Sequence, residues 1–188
     1  SIYRFGFNGN EEYKEAFIFC GIHYQPDKFW FGTDGAGIII HDKKADGFTH
    51  IEKDIRFENS LKTEVVRNMT KDSKNILWMG TPKGGVVKYD PNVKNFKLFK
   101  RHGFLENEIS GDDVRSFAED GDGNIWILIF NSGINKYVRK TGEFIHFMHD
   151  PDDPNTIGSN KAGMLHLDKK GNIWCNNYGG GMSKIDPE

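Results

Sequence analysis

Apolar residues recur along this chain at fixed positions in a repeat of 48 residues. Its four tryptophans mark the repeat: Trp30, Trp78, Trp126 and Trp174. Seven residues after each tryptophan comes a glycine, and an aliphatic residue or methionine follows it: Gly37-Ile38, Gly85-Val86, Gly133-Ile134 and Gly181-Met182. The four copies align without gaps. A fixed period of this length predicts a fold built from repeated structural units.

The apolar segments between these anchors have the length and composition of β-strands. In the third copy they are residues 114–118, 125–129 and 134–137, which are rich in β-branched and aromatic residues and bounded by turn signals. The turn before each tryptophan has a residue that tolerates a left-handed backbone. These residues are Asp27, Asn75, Gly123 and Gly171. No segment has a clear helical period, and the best helical candidate is the short charged stretch 11–16.

Four short antiparallel strands in each copy predict an all-β chain made of β-propeller blades. A parallel β-helix would have shorter coils, and an immunoglobulin-like sandwich would not contain four in-register copies. We expect one partial propeller over residues 1–188, with about four blades and the character of a fragment of a larger propeller. The predicted division is a partial blade at 1–16, blades at 17–64, 65–112 and 113–160, and an incomplete blade at 161–188.

The tryptophans are predicted to lie in the core between adjacent blades, because every copy has one in the middle of its second strand. Replacing a buried tryptophan by alanine costs roughly 3–5 kcal/mol. A tryptophan that stacks on a sugar is the alternative, but a ligand platform is not expected in every blade.

The repeat resembles a known family. Residues 120–126 (DGDGNIW), 78–91 and 30–33 (WFGT) are similar to the two-component regulator propeller repeat, and residues 150–160 are similar to the linker between its blades. The third and fourth copies depart from the Gly-Thr of that repeat, with Ile129 and Asn177 in place of the threonine. The family forms the periplasmic sensor region of hybrid two-component system histidine kinases. The resemblance therefore implies a periplasmic fragment that detects polysaccharide breakdown products and signals to a histidine kinase.

Composition and charge restrict the possible partners. The net charge is −2, with both signs interspersed, so neither nucleic acid nor an anionic membrane surface is expected as a partner. There is no apolar run near 18 residues and no signal peptide, so no membrane segment is predicted in this chain. Cys20 and Cys175 stand in different columns of the repeat and are expected to be free, buried thiols.

No cofactor and no metal site are predicted. Residues 120–124 (DGDGN) resemble the start of a calcium loop, but the distal glutamate of such a loop is missing. The other copies have Pro26, Lys74 and Lys170 at one of the acidic positions. We therefore interpret the segment as a turn.

Ligand-binding candidates lie in the loops that differ among the copies. The loops from the second to the third strand and the linkers between blades are expected on one face, where binding residues usually lie. The candidates are Asp34, Lys83, Arg101, His102, Asn131, His149, Asn177 and Tyr178. Tyr178 can stack on a sugar, whereas Lys83, Arg101 and His102 suit a uronate or sulfate. Arg67 and Arg115 share one column of the innermost strand, which predicts an inter-blade ion pair or a lining of the central channel.

Three function classes remain open from the sequence. The first is a non-catalytic sensor fragment that binds an oligosaccharide. The second is a propeller lyase or glycosidase, whose possible parts are Glu106, Asp150, Asp152 and Asp153 with His102 or His149. The third is a protein-interaction scaffold. We also expect self-association, because an open arc of blades exposes blade faces and strand edges.

Overall fold

A computed structural model describes residues 16–103 and 107–186. The described residues form strands and no helix, so the prediction of an all-β fold is confirmed. Accordingly, no helix among them is long and apolar enough to cross a membrane. Most of the helical candidate 11–16, the partial first blade and Glu106 lie outside the described residues.

The strands form four separate antiparallel sheets, and within each sheet they pair in chain order. The first sheet has β1 (Phe17–Gln25), β2 (Lys28–Asp34), β3 (Ile38–Asp42) and β4 (Gly47–Ile51). The second has β5 (Asn68–Lys71), β6 (Leu77–Gly80), β7 (Val86–Asp90) and β8 (Asn95–Phe99). The third has β9 (Val114–Glu119), β10 (Ile125–Ile129), β11 (Ile134–Val138) and β12 (Glu143–Phe147). The fourth has β13 (Ala162–Leu167), β14 (Ile173–Asn177) and β15 (Gly181–Ile185). We call these sheets blades 1 to 4, and this arrangement confirms the prediction of antiparallel propeller blades.

The core lies between successive blades, and the second strands of blades 2 and 3 are buried on both faces. Trp30 packs with Leu77 and Met79 of blade 2, and the same relation places Trp78 against blade 3 and Trp126 against blade 4. These three tryptophans are buried, which confirms the inter-blade prediction for them. Trp174 is only half-buried, since no described strand packs on the far side of blade 4.

An aspartate six residues before the tryptophan organises the first hairpin of three blades. In blade 3, Asp120 Oδ1 accepts hydrogen bonds from the backbone N–H groups of Asp122 and Asn124. Its Oδ2 accepts the indole N–H of Trp126 at 2.9 Å and lies 3.3 Å from Lys136 Nζ. Both carboxylate oxygens of Asp120 therefore stabilise the turn and the tryptophan, which gives this acid a structural role.

Blade 1 differs at this position, where Tyr24 replaces the aspartate. The Tyr24 hydroxyl donates to the carbonyl oxygen of Asn75 in blade 2 at 2.8 Å, and its ring packs edge-on against Trp30. The indole nitrogen of Trp30 is buried and has no hydrogen-bond partner among the described residues. Blade 1 thus replaces a hydrogen bond within the hairpin by a contact to the next blade.

Charged side chains also join the blades. Arg67 Nη1 of blade 2 lies 3.3 Å from Asp113 Oδ1 at the start of blade 3, which confirms the predicted inter-blade ion pair for this arginine. Arg115 instead forms two hydrogen bonds to Asp113 within its own blade, at 2.9 and 2.8 Å. The two arginines of one repeat column therefore share a single carboxylate.

Where the Gly-Thr motif is missing, other hydrogen bonds take the place of those made by the threonine hydroxyl. In blade 1 the Thr33 hydroxyl donates to the carbonyl oxygen of Gly37 at 3.0 Å and closes the loop between β2 and β3, and Thr81 does the same in blade 2. In blade 3, Asn135 Oδ1 instead accepts the backbone N–H of Ser110 from the preceding linker at 2.8 Å. In blade 4, Ser183 Oγ similarly accepts the N–H of Gly158. Polar residues on the third strand thus fix the linker where the threonine is missing.

Candidate functional site

The loops between the second and third strands and the linkers between blades lie on one face, which we call the loop face. In blades 1 to 3, backbone hydrogen bonds join this loop to the linker that follows the blade. The N–H of Gly37 donates to the Glu64 carbonyl oxygen at 2.7 Å, and Gly85 donates to that of Asp112 at 3.1 Å. The eight sequence-predicted candidates therefore share a face, but the structure does not bring all of them together.

Arg101 and His149 occupy the same repeat column and both brace their linkers. The N–H of Arg101 donates to Asp112 Oδ1 at 2.9 Å, and its guanidinium donates to the Ser110 carbonyl oxygen at 3.1 Å. The N–H of His149 donates to Asn160 Oδ1 at 2.8 Å, and its Nδ1 lies 2.7 Å from the Ile157 carbonyl oxygen. These contacts give both residues a role in linker folding.

His102 belongs to a second group of linker contacts, all of which involve the Glu108 carboxylate. The Glu108 carboxylate accepts the backbone N–H groups of His102, at 2.9 Å, and of Gly103. The N–H of His102 is the main cause that holds the pKa of Glu108 below its usual value, against an opposing effect of burial. The imidazole Nδ1 lies 3.4 Å from the same carboxylate. His102 thus stabilises the linker between blades 2 and 3.

Two candidates meet in a cleft of about 330 Å³ on the loop face. Arg101 and Asn131 line it together with Glu108, Ser132 and His146. Asn131 adopts a left-handed backbone with φ of 64°, which holds the loop between β10 and β11 in a tight turn. The cleft is shallow and polar, and its guanidinium and carboxylate already bind backbone groups.

A larger cleft of about 390 Å³ lies between β12 and β15, where Phe147, Ile157 and Ile185 line it. In blade 3 the equivalent space is filled by Phe144 of the fourth strand, whose ring packs on Phe99 of blade 2 and whose N–H donates to Asn107 Oδ1 at 2.8 Å. Blade 4 has no fourth strand among the described residues. The cleft therefore lies where a fourth strand of blade 4 would pack.

Asp34 and Lys83 are exposed on the loops of blades 1 and 2. Asp34 forms a backbone bridge with Val65 at the start of blade 2. Among the described residues, no contact joins either side chain to the other candidates.

The inner end of the loop face carries an aromatic pair. Tyr178 of blade 4 is 60% exposed, and its ring meets Phe130 of blade 3 edge-on with centroids 6.1 Å apart. Their backbone N–H groups bind the residue just before the first strand of their own blades, Phe130 the Asp113 carbonyl oxygen at 2.8 Å and Tyr178 that of Lys161 at 2.7 Å. The neighbouring Asn177 is buried, and its amide pairs with the Ser183 hydroxyl at 2.7 Å. Asn177 supports the loop, while Tyr178 faces solvent.

Two arginines lie next to this aromatic pair, at the first strands of blades 2 and 3. The first strands of neighbouring blades contact one another. The Arg115 guanidinium lies over the Phe130 ring at 4.5 Å and binds Asp113. Arg67, which also contacts Asp113, lies 5.7 Å from the ring centre of Phe19 in blade 1. We call these residues the channel-mouth cluster: Phe19, Arg67, Asp113, Arg115, Phe130 and Tyr178.

The sequence alone predicts neither Phe19 nor Asp113 nor Phe130 of this cluster, and of these Phe130 has a visible sequence signal. It stands four residues after Trp126, as Tyr178 stands four residues after Trp174, and blades 1 and 2 have Asp34 and Pro82 in this column. Two aromatic residues at the same loop position of adjacent blades indicate that their side chains lie close together.

The comparison with family models confirms the resemblance over one stretch of the chain. Residues 108–131 match the model described as Two component regulator propeller. This segment includes the last part of the linker before blade 3, the strands β9 and β10, and Phe130. A comparison with curated proteins finds no significant match.

Solved structures share the fold at low identity. One, described as the extracellular domain of a hybrid two component system protein, BT3049 of B. thetaiotaomicron, is 16% identical with a TM-score of 0.76. The match covers 90% of this chain and 23% of that one. The extracellular domain of BT4673 from the same organism is 22% identical over 89% of this chain and 21% of its own, with a TM-score of 0.66. The WD40 β-propeller domain of Doa1 is 11% identical, covers 91% and 51%, and has a TM-score of 0.65. These matches identify the fold as a β-propeller, and this chain spans about a quarter of the first two domains.

Proposed function

We propose that this chain is the ligand-sensing part of a periplasmic sensor propeller, which detects polysaccharide breakdown products and passes the signal to a histidine kinase. The match of residues 108–131 to two component regulator propellers supports the signalling role. The descriptions of the BT3049 and BT4673 structures as extracellular domains support a location outside the inner membrane. The structural observation on which the proposal depends is the exposed Tyr178 beside Phe130 at the channel mouth.

The channel mouth has the chemistry of a sugar site. Binding sites combine an apolar or aromatic surface with a few fixed polar groups that set orientation. Tyr178 supplies the exposed ring, and its edge-on contact with Phe130 limits its movement. Asn176, near the end of β14, accepts the backbone N–H groups of Gly163 and Met164 at 3.3 and 2.7 Å through its side-chain oxygen, which fixes an amide next to the loop of Tyr178. A small oligosaccharide can stack on the ring and bind these polar groups.

The proposed role is non-catalytic. The candidate acids of the enzyme alternative form hydrogen bonds inside their own linker: Asp150 Oδ1 accepts the N–H of Asp152, and Asp153 Oδ1 accepts that of Asn155, each at 2.9 Å. An assay for reducing ends or unsaturated products on a polysaccharide panel distinguishes the alternatives. Product release by the chain would replace the sensor proposal by a lyase or glycosidase.

Calorimetry with a panel of neutral and acidic oligosaccharides tests the binding proposal. We expect at least one to bind, and Tyr178→Ala to weaken that binding about fivefold, because stacking on an aromatic ring contributes on the order of 1 kcal/mol. Phe57→Ala is the matched control, since Phe57 is an equally exposed aromatic residue on the linker after blade 1. A panel without any binding, or equal loss in both variants, would reject the site.

We also propose self-association through the two outer blade faces. Ile18 of blade 1 is 39% exposed, although its repeat equivalents are fully buried: Val66, Val114 and Ala162. Met182 of blade 4 is 68% exposed, and its equivalents are likewise fully buried: Ile38, Val86 and Ile134. Exposed apolar faces of this kind favour association. Sedimentation should show dimers that Met182→Lys dissociates, while a monomer at every concentration would contradict self-association.

A further inference from the structure

We propose that the channel-mouth cluster binds the anionic group of an acidic sugar, so that the ligands of this site are oligosaccharides with a carboxylate or sulfate. The inference rests on the proposed glycan-binding function and names its ligand class. Its basis is an excess of positive charge that the fold places beside the exposed Tyr178.

The first observation is the charge balance of the cluster. Arg67 and Arg115 both contact the one carboxylate of Asp113, at 3.3 and 2.8 Å. Two guanidinium groups and one carboxylate leave one positive charge in excess. All three side chains are about one-third exposed, so a ligand in solvent can reach them. An anion at this position would compensate the remaining charge.

The second observation is the difference between two blade boundaries. Between blades 2 and 3, Arg67 meets Asp113. The residue 48 positions after Asp113 is Lys161, at the start of blade 4, so Arg115 has a lysine where Arg67 has a carboxylate. The first strands of blades 3 and 4 do adjoin, since the N–H of Leu165 donates to Ser116 Oγ at 3.0 Å. At this boundary the chain thus has a lysine at the repeat position that holds an acid between blades 2 and 3.

The third observation is the fixed position of the Arg115 guanidinium. Its Nε and Nη2 bind Asp113, while its Cζ lies over the Phe130 ring, 4.5 Å from the ring centre. Nη1 makes no hydrogen bond among the described residues and stays available as a donor. A guanidinium held in this way loses little conformational freedom on binding, which favours recognition of a planar carboxylate.

These groups lie together in space. Phe130 contacts both Tyr178 and Arg115, with its ring centre 6.1 Å from that of Tyr178 and 4.5 Å from the Arg115 Cζ. A sugar stacked on Tyr178 would therefore have its substituents beside Arg115, and the backbone of Lys161 is bonded to that of Tyr178. The aromatic ring would bind the sugar face, and the cations would bind its acid group. The sequence had suggested Lys83, Arg101 and His102 for that acid, but the linker contacts of Arg101 and His102 and the separate position of Lys83 favour Arg115.

The test compares sugars that differ only in charge. Isothermal titration of the full chain would use an oligogalacturonate and its methyl ester, and a sulfated and an unsulfated form of one neutral oligosaccharide. We expect the acidic member of at least one pair to bind about tenfold more tightly at low salt, with a loss of preference as salt screens the charges. The two pairs distinguish a carboxylate from a sulfate.

Two variants test whether Arg115 causes the preference for acidic over neutral sugars. Arg115→Gln should reduce the affinity for the acidic sugar to that for the neutral one, and Arg115→Lys should restore part of the preference. Arg56→Gln is the matched control, because Arg56 makes the same pair of hydrogen bonds to Asp54, two residues earlier, and lies over Phe57. Thermal melting confirms that each variant is folded.

The outcomes separate the inference from the proposed function. Equal binding of acidic and neutral sugars, or an acidic preference that survives Arg115→Gln, would overturn the inference while sugar binding through Tyr178 stands. No binding of any sugar would overturn both.

Discussion

Arg139 of blade 3 binds Asp72 of blade 2, with its Nη2 2.6 Å from Asp72 Oδ2. The same oxygen accepts the indole N–H of Trp78 at 2.8 Å, and the aspartate side chain is completely buried. The carboxylate thus joins a hairpin, an inter-blade tryptophan and the neighbouring blade.

We predict that Arg139→Met destabilises the protein strongly. Removing one partner of a buried ion pair leaves the other charge uncompensated, which costs about 3 kcal/mol or more. Urea denaturation followed by tryptophan fluorescence measures the effect. Lys140→Met, at the next and exposed position, is the control and should change the stability by less than about 0.5 kcal/mol. Similar stability of the two variants would show that the inter-blade pair contributes little.

The tryptophans are not equivalent, and phenylalanine substitutions should reveal the difference. Trp78→Phe removes the donor that Asp72 binds, whereas the indole nitrogen of Trp30 has no partner to lose. Both substitutions remove similar apolar area. Trp78→Phe should therefore lower the free energy of unfolding by about 1–2 kcal/mol more than Trp30→Phe does. Equal midpoints in urea for the two variants would contradict this role of the aspartate.

Gly85 and Gly181 offer a matched test of the blade geometry. Both have positive φ, 81° and 69°, so alanine strains the backbone at either position. At Gly85 an added Cβ would overlap the Phe99 carbonyl oxygen of the fourth strand, while at Gly181 it would meet no atom within 4 Å. Gly85→Ala should cost about 1–3 kcal/mol more than Gly181→Ala. Thermal melting of both variants measures this, and equal losses would argue against close packing of the fourth strand.

The repeat columns predicted the fold well, because a position that is buried between blades needs an apolar residue in every copy. Trp78, Val86 and Val114 are fully buried for this reason. The role of Asp72 was missed, although aspartate recurs six residues before three of the four tryptophans. A hydrogen bond between two columns is not visible when each column is considered alone. The division of the chain at residues 16, 64, 112 and 160 stays a prediction.

The candidate site was harder to predict for a related reason. Arg101 and His149 were selected as variable, polar linker residues. Their partners, Asp112 and Asn160, lie 11 residues later at the end of the same linker. The two pairs therefore stabilise the linker itself. Phe130 was missed because the loop had been judged from its polar residues. Loop conformation decides these contacts, and a single sequence does not specify it.

Cys20 provides a pH-dependent test of blade packing. Both cysteines are free, as expected; Cys175 is buried and Cys20 is half-buried. Burial raises the pKa of the Cys20 thiol to about 11. Because the thiolate is the reactive form, labelling of the native protein at pH 8 should be slow and should accelerate as the pH rises toward that value. A Cys175→Ala background isolates Cys20, and fast labelling at pH 8 would show that the thiol is not held in the blade.

We propose that the ligand binds at the channel mouth between blades 3 and 4. Titration of the ¹⁵N-labelled chain with the tightest oligosaccharide from the panel locates the binding site residue by residue. We predict that amide shift changes concentrate on Asp113, Phe130, Lys161 and Tyr178, whose backbones are bonded in pairs at this site. Changes centred on the cleft beside Arg101, or on the hairpin face of the blades, would contradict the claim.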